Sequence, residues 1–127
     1  MEVLNLNRNK ISDIKFLEFV NSKRPTQWYL PSNNIPDIKV LEIVTFDKLE
    51  ILDLRWNKIA DINILEFVNL KELKILDISN NNISDIKVLE KVKSDKLEIR
   101  YWNYDKIADK NIIKKVKFRV EMKNFII

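Results

Sequence analysis

Apolar and polar positions recur along most of the chain at a fixed interval of 24 residues. With Asn57 and Ile59 as a ruler, the same pair stands at Asn9/Ile11, Asn33/Ile35 and Asn81/Ile83, with an altered copy at Asp105/Ile107. Three more columns keep this register: Asp13, Asp37, Asp61, Asp85 and Asp109; Leu17, Leu41, Leu65, Leu89 and Ile113; Val20, Val44, Val68, Val92 and Val116. Self-similarity on this scale marks a solenoid, in which each unit hides its apolar face only against its neighbours.

The unit is clearest from Leu49 to Val68. Leu52-Asp53-Leu54 alternates with period two, which predicts a strand with its leucines inward and the strands of successive units side by side in a parallel sheet. Asn57 follows at the turn, where its amide can both donate to and accept from main-chain groups that a curving chain leaves unpaired. That is a structural role. Asp61 is placed to cap a helix N-terminus, and Ile62, Leu65 and Val68 then recur at three-residue spacing, predicting a short helix that returns the chain.

The full pattern, LxxLxLxxNxIxDIxxLExV, is complete in Leu49, Leu52, Leu54, Asn57, Ile59, Ile62, Leu65 and Val68. It is complete again in Leu73, Leu76, Ile78, Asn81, Ile83, Ile86, Leu89 and Val92. It resembles the leucine-rich repeat family, in particular the short helical-backed class of bacterial internalins and phosphatase regulatory subunits. The resemblance covers residues 1 to about 116. It implies a right-handed α/β solenoid of about five coils, with a concave parallel sheet on which partner proteins bind and short helices on the convex side. Residues 117–127, with Phe118, Val120 and Met122 alternating against charged neighbours, are expected to form a C-terminal capping strand.

Two units depart from the pattern. In the second, Pro25 and Trp28 replace the first two leucines and Pro31 follows Leu30, so a bulge and a lost ladder bond are expected there. In the fifth, Arg100 and Trp102 stand where Leu52 and Leu54 stand and Asp105 replaces the turn asparagine, so that unit is expected to deviate.

Composition narrows the chemistry. The 127 residues include no glycine and three prolines, so turns must rely on Asn and Asp, which tolerate left-handed backbone. There is no cysteine and no histidine, which removes disulfides, thiolate metal sites, the commonest metal ligand and the commonest general base. The start lacks the pattern of a secretory signal, and no apolar run approaches the ~18 residues of a membrane span, so a cytoplasmic protein is expected. The net charge of +4 is uneven. Residues 1–90 carry 12 Lys/Arg against 14 Asp/Glu, and residues 91–127 carry 11 against 5, so the two parts stand at −2 and +6. The basic end suits an acidic partner.

If the leucines point inward, their neighbours line the concave face in four rows. One runs Asn5, Tyr29, Asp53, Asp77, Tyr101; the next Asn7, Pro31, Arg55, Ser79, Asn103; a third Arg8, Ser32, Trp56, Asn80, Tyr104; a fourth Val3, Gln27, Ile51, Ile75, Ile99. The aromatic, arginine and aliphatic mixture is the one that anchors protein interfaces. Tyr29, Asp53, Arg55, Trp56, Asp77, Tyr101 and Tyr104 are therefore the candidate partner-binding residues. Asp53 and Asp77, in adjacent strands, are expected to receive a partner's cation. No nucleophile, metal cluster or phosphate loop accompanies them, so neither catalysis nor a cofactor or metal is expected.

The reading is a non-catalytic scaffold that binds another protein through its concave face, as a small inhibitor or effector. The alternative is an inhibitor of a nucleic-acid-processing enzyme, for example a phage-type anti-CRISPR, or a direct nucleic-acid binder using the basic C-terminal end. The bare edge of the first strand also offers pairing to a second copy, which would make a homodimer.

Overall fold

A computed structural model describes residues 3–20, 26–44, 48–70, 72–92, 97–100 and 120–121. Six short parallel strands form one sheet in chain order: β1 Val3–Asn5, β2 Gln27–Tyr29, β3 Ile51–Asp53, β4 Ile75–Asp77, β5 Glu98–Arg100 and β6 Val120–Glu121. Val3 pairs with Gln27, Gln27 with Ile51 and Ile51 with Ile75, so each of the first three steps of the sheet is one 24-residue repeat. A parallel neighbour can be reached only by a crossover. The other described residues of the first four repeats belong to that crossover, on the back of the sheet.

In β2 to β5 the middle residue of the strand points inward, as the period-two pattern requires. Trp28, Leu52, Leu76 and Ile99 are all buried, followed along the chain by Leu30, Leu54 and Ile78. From the crossovers, Ile35, Ile59 and Ile83, then Ile38, Ile62 and Ile86, then Leu41, Leu65 and Leu89 meet them in one continuous core. Each coil stacks the same side chain on its counterpart in the next. Each fully buried aliphatic side chain contributes roughly 1.5–3 kcal/mol, and no coil could hide these groups alone.

The asparagine column ties the coils together. Asn57 Nδ2 donates to the carbonyls of Leu54 and Arg55 in its own coil and Leu30 in the preceding one, at 3.0, 3.2 and 3.0 Å. Its Oδ1 accepts the Ile35 amide at 3.1 Å. Asn33 and Asn81 repeat the arrangement. Asn33 reaches back to Leu6, Asn9 and Ile11, and Asn81 to Leu54 and Ile59. Asparagine suits the site because only a side-chain amide supplies both donors and an acceptor at that reach.

The convex side is made of helical turns shorter than the spacing suggested. α1, Leu17–Val20, is a single α-helical turn, and Lys39–Glu42, Asn63–Glu66 and Lys87–Glu90 are 3-10 turns. The aspartate column does not provide the N-cap itself, a position taken by Ile38, Ile62 and Ile86. Instead Asp13, Asp37, Asp61 and Asp85 each accept the amide two residues on, at 2.9, 3.1, 2.8 and 3.0 Å. Each is an Asx turn that satisfies the first exposed amide of the helical turn.

Two sequence expectations are corrected. Pro31 costs no ladder bond: β2 pairs in register on both sides, and the Leu30 and Ser32 amides reach the carbonyls of Asp53 and Arg55 at 2.9 Å. In the other coils the amide at the Pro31 position does not face the neighbouring strand. It bonds the side chain two residues earlier, as Asn7 does with Asn5, Arg55 with Asp53 and Ser79 with Asp77. Proline therefore removes a donor that the sheet never uses, and the residue two before it, Tyr29, has no amide to cap.

The fifth coil is one residue short. Ile75 pairs with Glu98, Leu76 with Ile99 and Asp77 with Arg100. Ile99 thus belongs to the core, 1% exposed, and not to the concave row of Ile51 and Ile75. Arg100 stands beside Asp77 and not in the place of Leu52. A one-residue slip exchanges the two faces of a strand. Here it buries an isoleucine where the strict period would bury a guanidinium, which carries a far higher desolvation cost. Beyond it, β6 adds in parallel to β5, Ile99 beside Val120 and Arg100 beside Glu121, within the segment expected to cap the solenoid.

Candidate functional site

The concave face is built from the outward residues of β1–β4 and from the turn after each strand. In its first row, Asn5, Asp53 and Asp77 turn their side chains back onto their own coils through the Asx bonds described above. Asp53 and Asp77 are each 5% exposed. The Tyr29 hydroxyl donates to Gln27 Oε1 at 3.0 Å, which fixes the ring half-buried on the sheet.

Arg55 lies over both carboxylates. Its Nε donates to Asp53 Oδ1 and Oδ2 at 2.9 and 3.1 Å, its Nη2 to Asp53 Oδ2 at 2.8 Å, and its Nε stands 3.8 Å from Asp77 Oδ2. The hydrogen bond to Asp53 raises the Arg55 pKa above its ordinary value, opposed by partial burial and helped by the charges of Asp53 and Asp77. Burial pushes the Asp77 carboxyl up, as does the charge of Asp53, while hydrogen bonds from Ser79 and the charge of Arg55 pull it down. The expectation that the aspartates wait for a partner's cation changes accordingly. The chain supplies that cation itself, and a partner approaching here meets a guanidinium whose side chain is 42% exposed.

The third row follows each strand. Arg8, Ser32, Trp56 and Asn80 have φ of 57°, 58°, 57° and 58°, all in the left-handed region. The repeat imposes this conformation, because it carries the ladder around the bend: the amides of Arg8, Ser32 and Trp56 bond the carbonyls of Pro31, Arg55 and Ser79 at 3.1, 2.9 and 3.1 Å. It also swings the next residue, Asn9, Asn33, Asn57 or Asn81, toward the turn. A chain without glycine must fill this position with residues that bear a Cβ, and asparagine tolerates it best. Trp56 occupies it with its side chain held out, 60% exposed. Neither burial nor backbone preference selects a tryptophan there.

The structure therefore brings Tyr29, Asp53, Arg55, Trp56 and Asp77 onto one face across β2–β4, with Trp56 directly after Arg55 and half-buried Ile51 and Ile75 along one margin. Tyr101 and Tyr104 lie outside the described residues, as do all the C-terminal lysines and arginines after Lys91 except Arg100. What sequence reasoning missed was the left-handed column and the Arg55 fork. The first had a visible signal in the absence of glycine. The second had one in Asp53 and Arg55 two positions apart on one strand face. Among the described residues, no three Asp, Glu, His or Cys side chains gather as a metal site would require, and no helix is long and apolar enough to cross a membrane.

Comparison with known proteins follows the same lines. Residues 47–91 match the family described as Leucine Rich repeats (2 copies). No curated protein matches the chain. Among solved structures, it is similar to internalin C2 of Listeria monocytogenes, with a TM-score of 0.73 and 26% identity over 97% of this chain and 52% of that one. Internalin inlF of the same organism shares the fold, with a TM-score of 0.64 and 22% identity over 98% of this chain and 41% of that one. The chain thus spans about half the length of internalin C2.

Proposed function

We propose that this chain, a leucine-rich repeat protein, binds another protein through the concave face of its sheet, without catalysis, and acts by occupying that partner's surface as an inhibitor or effector. The observation that carries the proposal is Trp56. A large aromatic held 60% exposed on left-handed backbone lowers the stability of the coil that bears it and fills no core. Arg8, Ser32 and Asn80 share the left-handed backbone; what sets this position apart is the exposed indole it carries, a side chain that anchors interfaces. Beside it, Arg55 is preset by Asp53, so a partner carboxylate or carbonyl meets a guanidinium whose rotamers are already restricted. Tryptophan, tyrosine and arginine are the side chains that most often dominate interface energy.

The likeness to internalins supports an interaction scaffold as the class of function. Placing a photo-crosslinking amino acid at position 56, and in a second protein at position 67 on the convex side, tests the face. Adducts from position 56 in cell extract are expected. Adducts at 67 with none at 56 would overturn the concave assignment.

A further inference from the structure

The convex side carries a row that the concave reading does not use. Phe19, Ile43 and Phe67 occupy one column, 24 residues apart, and are 74%, 61% and 67% exposed. Three residues before each stand Phe16, Val40 and Ile64, which are half-buried and packed on the core. In a 3-10 turn, residues i and i+3 eclipse, so each turn presents an inner and an outer apolar side chain side by side. Stacking the turns makes a ribbon two residues wide and three coils long. It ends at the fourth coil, where the outer position is Lys91, whose Nζ stands 3.5 Å from Glu66 Oε1.

The ribbon runs beside acid. Glu18, Glu42 and Glu66 form the column before the exposed row, all at the surface, and Asp13, Asp37 and Asp61 begin the same segments. Residues 13–19, 37–43 and 61–67 together carry six carboxylates against two lysines, a net charge of −4 on a protein of net charge +4. Between the first two coils the surface opens into a groove of about 520 Å³, lined by Ile14, Val40 and Ile43 and by three carboxylates, Asp13, Glu18 and Asp37, against two lysines, Lys15 and Lys39.

We propose that this ribbon docks a basic amphipathic helix of a partner protein, lying along the solenoid axis. The pitch favours a helix. Because the sheet is on the concave side, the convex turns stand further apart than the strand spacing of about 4.8 Å, which brings their repeat toward the 5.4 Å pitch of an α-helix and places residues i, i+4 and i+7 of the helix over successive coils. The carboxylate column selects lysine or arginine beside the apolar stripe. It also disfavours a second copy presenting the same face, since that would set the glutamate rows against each other.

The test uses the full chain and a labelled helical peptide of leucine and lysine, with leucines at i, i+3, i+4 and i+7. Two controls accompany it, one of the same composition with the leucines spread around the helix, the other with glutamate in place of lysine. Binding of the first peptide alone is expected. Its affinity should fall at least tenfold in Ile43→Ser/Phe67→Ser and in Glu42→Lys/Glu66→Lys, with Trp56→Asn unchanged. These are surface substitutions, and circular dichroism confirms that each variant is folded. Equal binding of all three peptides, or affinity untouched by both double variants, overturns the proposal. So does a mass that rises with concentration in light scattering and is abolished by Ile43→Ser/Phe67→Ser, which would assign the ribbon to a second copy.

Discussion

Asn57 Oδ1 accepts the main-chain amide of Ile35, 22 residues earlier, at 3.1 Å, while its amide nitrogen bonds carbonyls in both coils. One buried side chain thus satisfies polar groups of two repeats, so neighbouring coils are coupled through it. Asn57→Ala would leave the Ile35 amide and the Leu30 and Leu54 carbonyls without this partner. The Leu30 and Leu54 carbonyls keep donors in Asn33 Nδ2 and Asn81 Nδ2, so the Ile35 amide is the group left unpaired, and a loss of about 1–3 kcal/mol is expected. Asn9, in the first of the described coils, is exposed, and its side chain donates to the Asn7 carbonyl in its own coil. Asn9→Ala should therefore change stability by about 0.5 kcal/mol or less. Urea unfolding of the two variants gives the comparison, and equal losses would show that the column does not couple coils.

At position 56 stability and function are expected to separate. Asparagine, already present at Asn80 in the equivalent left-handed site, relieves the backbone cost of the tryptophan. Trp56→Asn should raise stability by about 0.5–1 kcal/mol, read as an upward shift of the thermal midpoint. A lower midpoint would mean that the indole contributes packing that its exposure does not show.

Removing Arg55 should be harmful through what it leaves behind. Asp53 and Asp77 are each 5% exposed and stand side by side in β3 and β4. In Arg55→Ala they would face one another without their shared cation. Because the Arg55 side chain is 42% exposed, water screens part of the interaction, and a loss of about 1 kcal/mol at neutral pH is expected. Adding Asp53→Asn to Arg55→Ala should restore most of it, and a double variant no more stable than the single one would refute the charge argument.

Asp77 gives a pH dependence of definite sign. Burial raises its folded pKa above the unfolded value, so the folded state holds the proton more tightly. Its ionisation costs stability as pH rises through that window, and the cost is fully present at neutral pH. Asp77→Asn keeps an oxygen for the Ser79 amide and removes the charge. Its thermal midpoint should exceed that of the parent at pH 7, and the difference should shrink as pH falls below the ordinary carboxylate range. A difference that grows on acidification would show that the carboxylate is stabilised by Arg55 and Ser79 more than burial disfavours it.

Much of this architecture was legible in the period alone, because in a solenoid every column repeats the same environment. The strand leucines, the turn asparagines and the row containing Trp56 all follow from one interval. Where the reading failed, a local competition overrode the period. Leu97-x-Ile99 replaces the Leu-x-x-Leu of Leu49/Leu52 and Leu73/Leu76, and burying Ile99 in preference to Arg100 moved the strand by one residue. Pro31 looked disruptive because the ladder's use of each amide is a three-dimensional property. The Arg55 fork and the convex row of Ile43 and Phe67 were both visible as columns, but their meaning depended on burial. Asp53 is covered and Phe67 is not.

The central claim is that the concave face carries the binding function, and Trp56→Asn offers its most direct test because the substitution should leave the solenoid intact or more stable. Immobilised wild type, Trp56→Asn and Phe67→Ser are each exposed to nuclease-treated extract of the source cell, and the retained proteins are quantified by mass spectrometry. A protein held by wild type and by Phe67→Ser but lost from Trp56→Asn is the predicted result. Retention of the same proteins in the same amounts by wild type and Trp56→Asn would contradict the account.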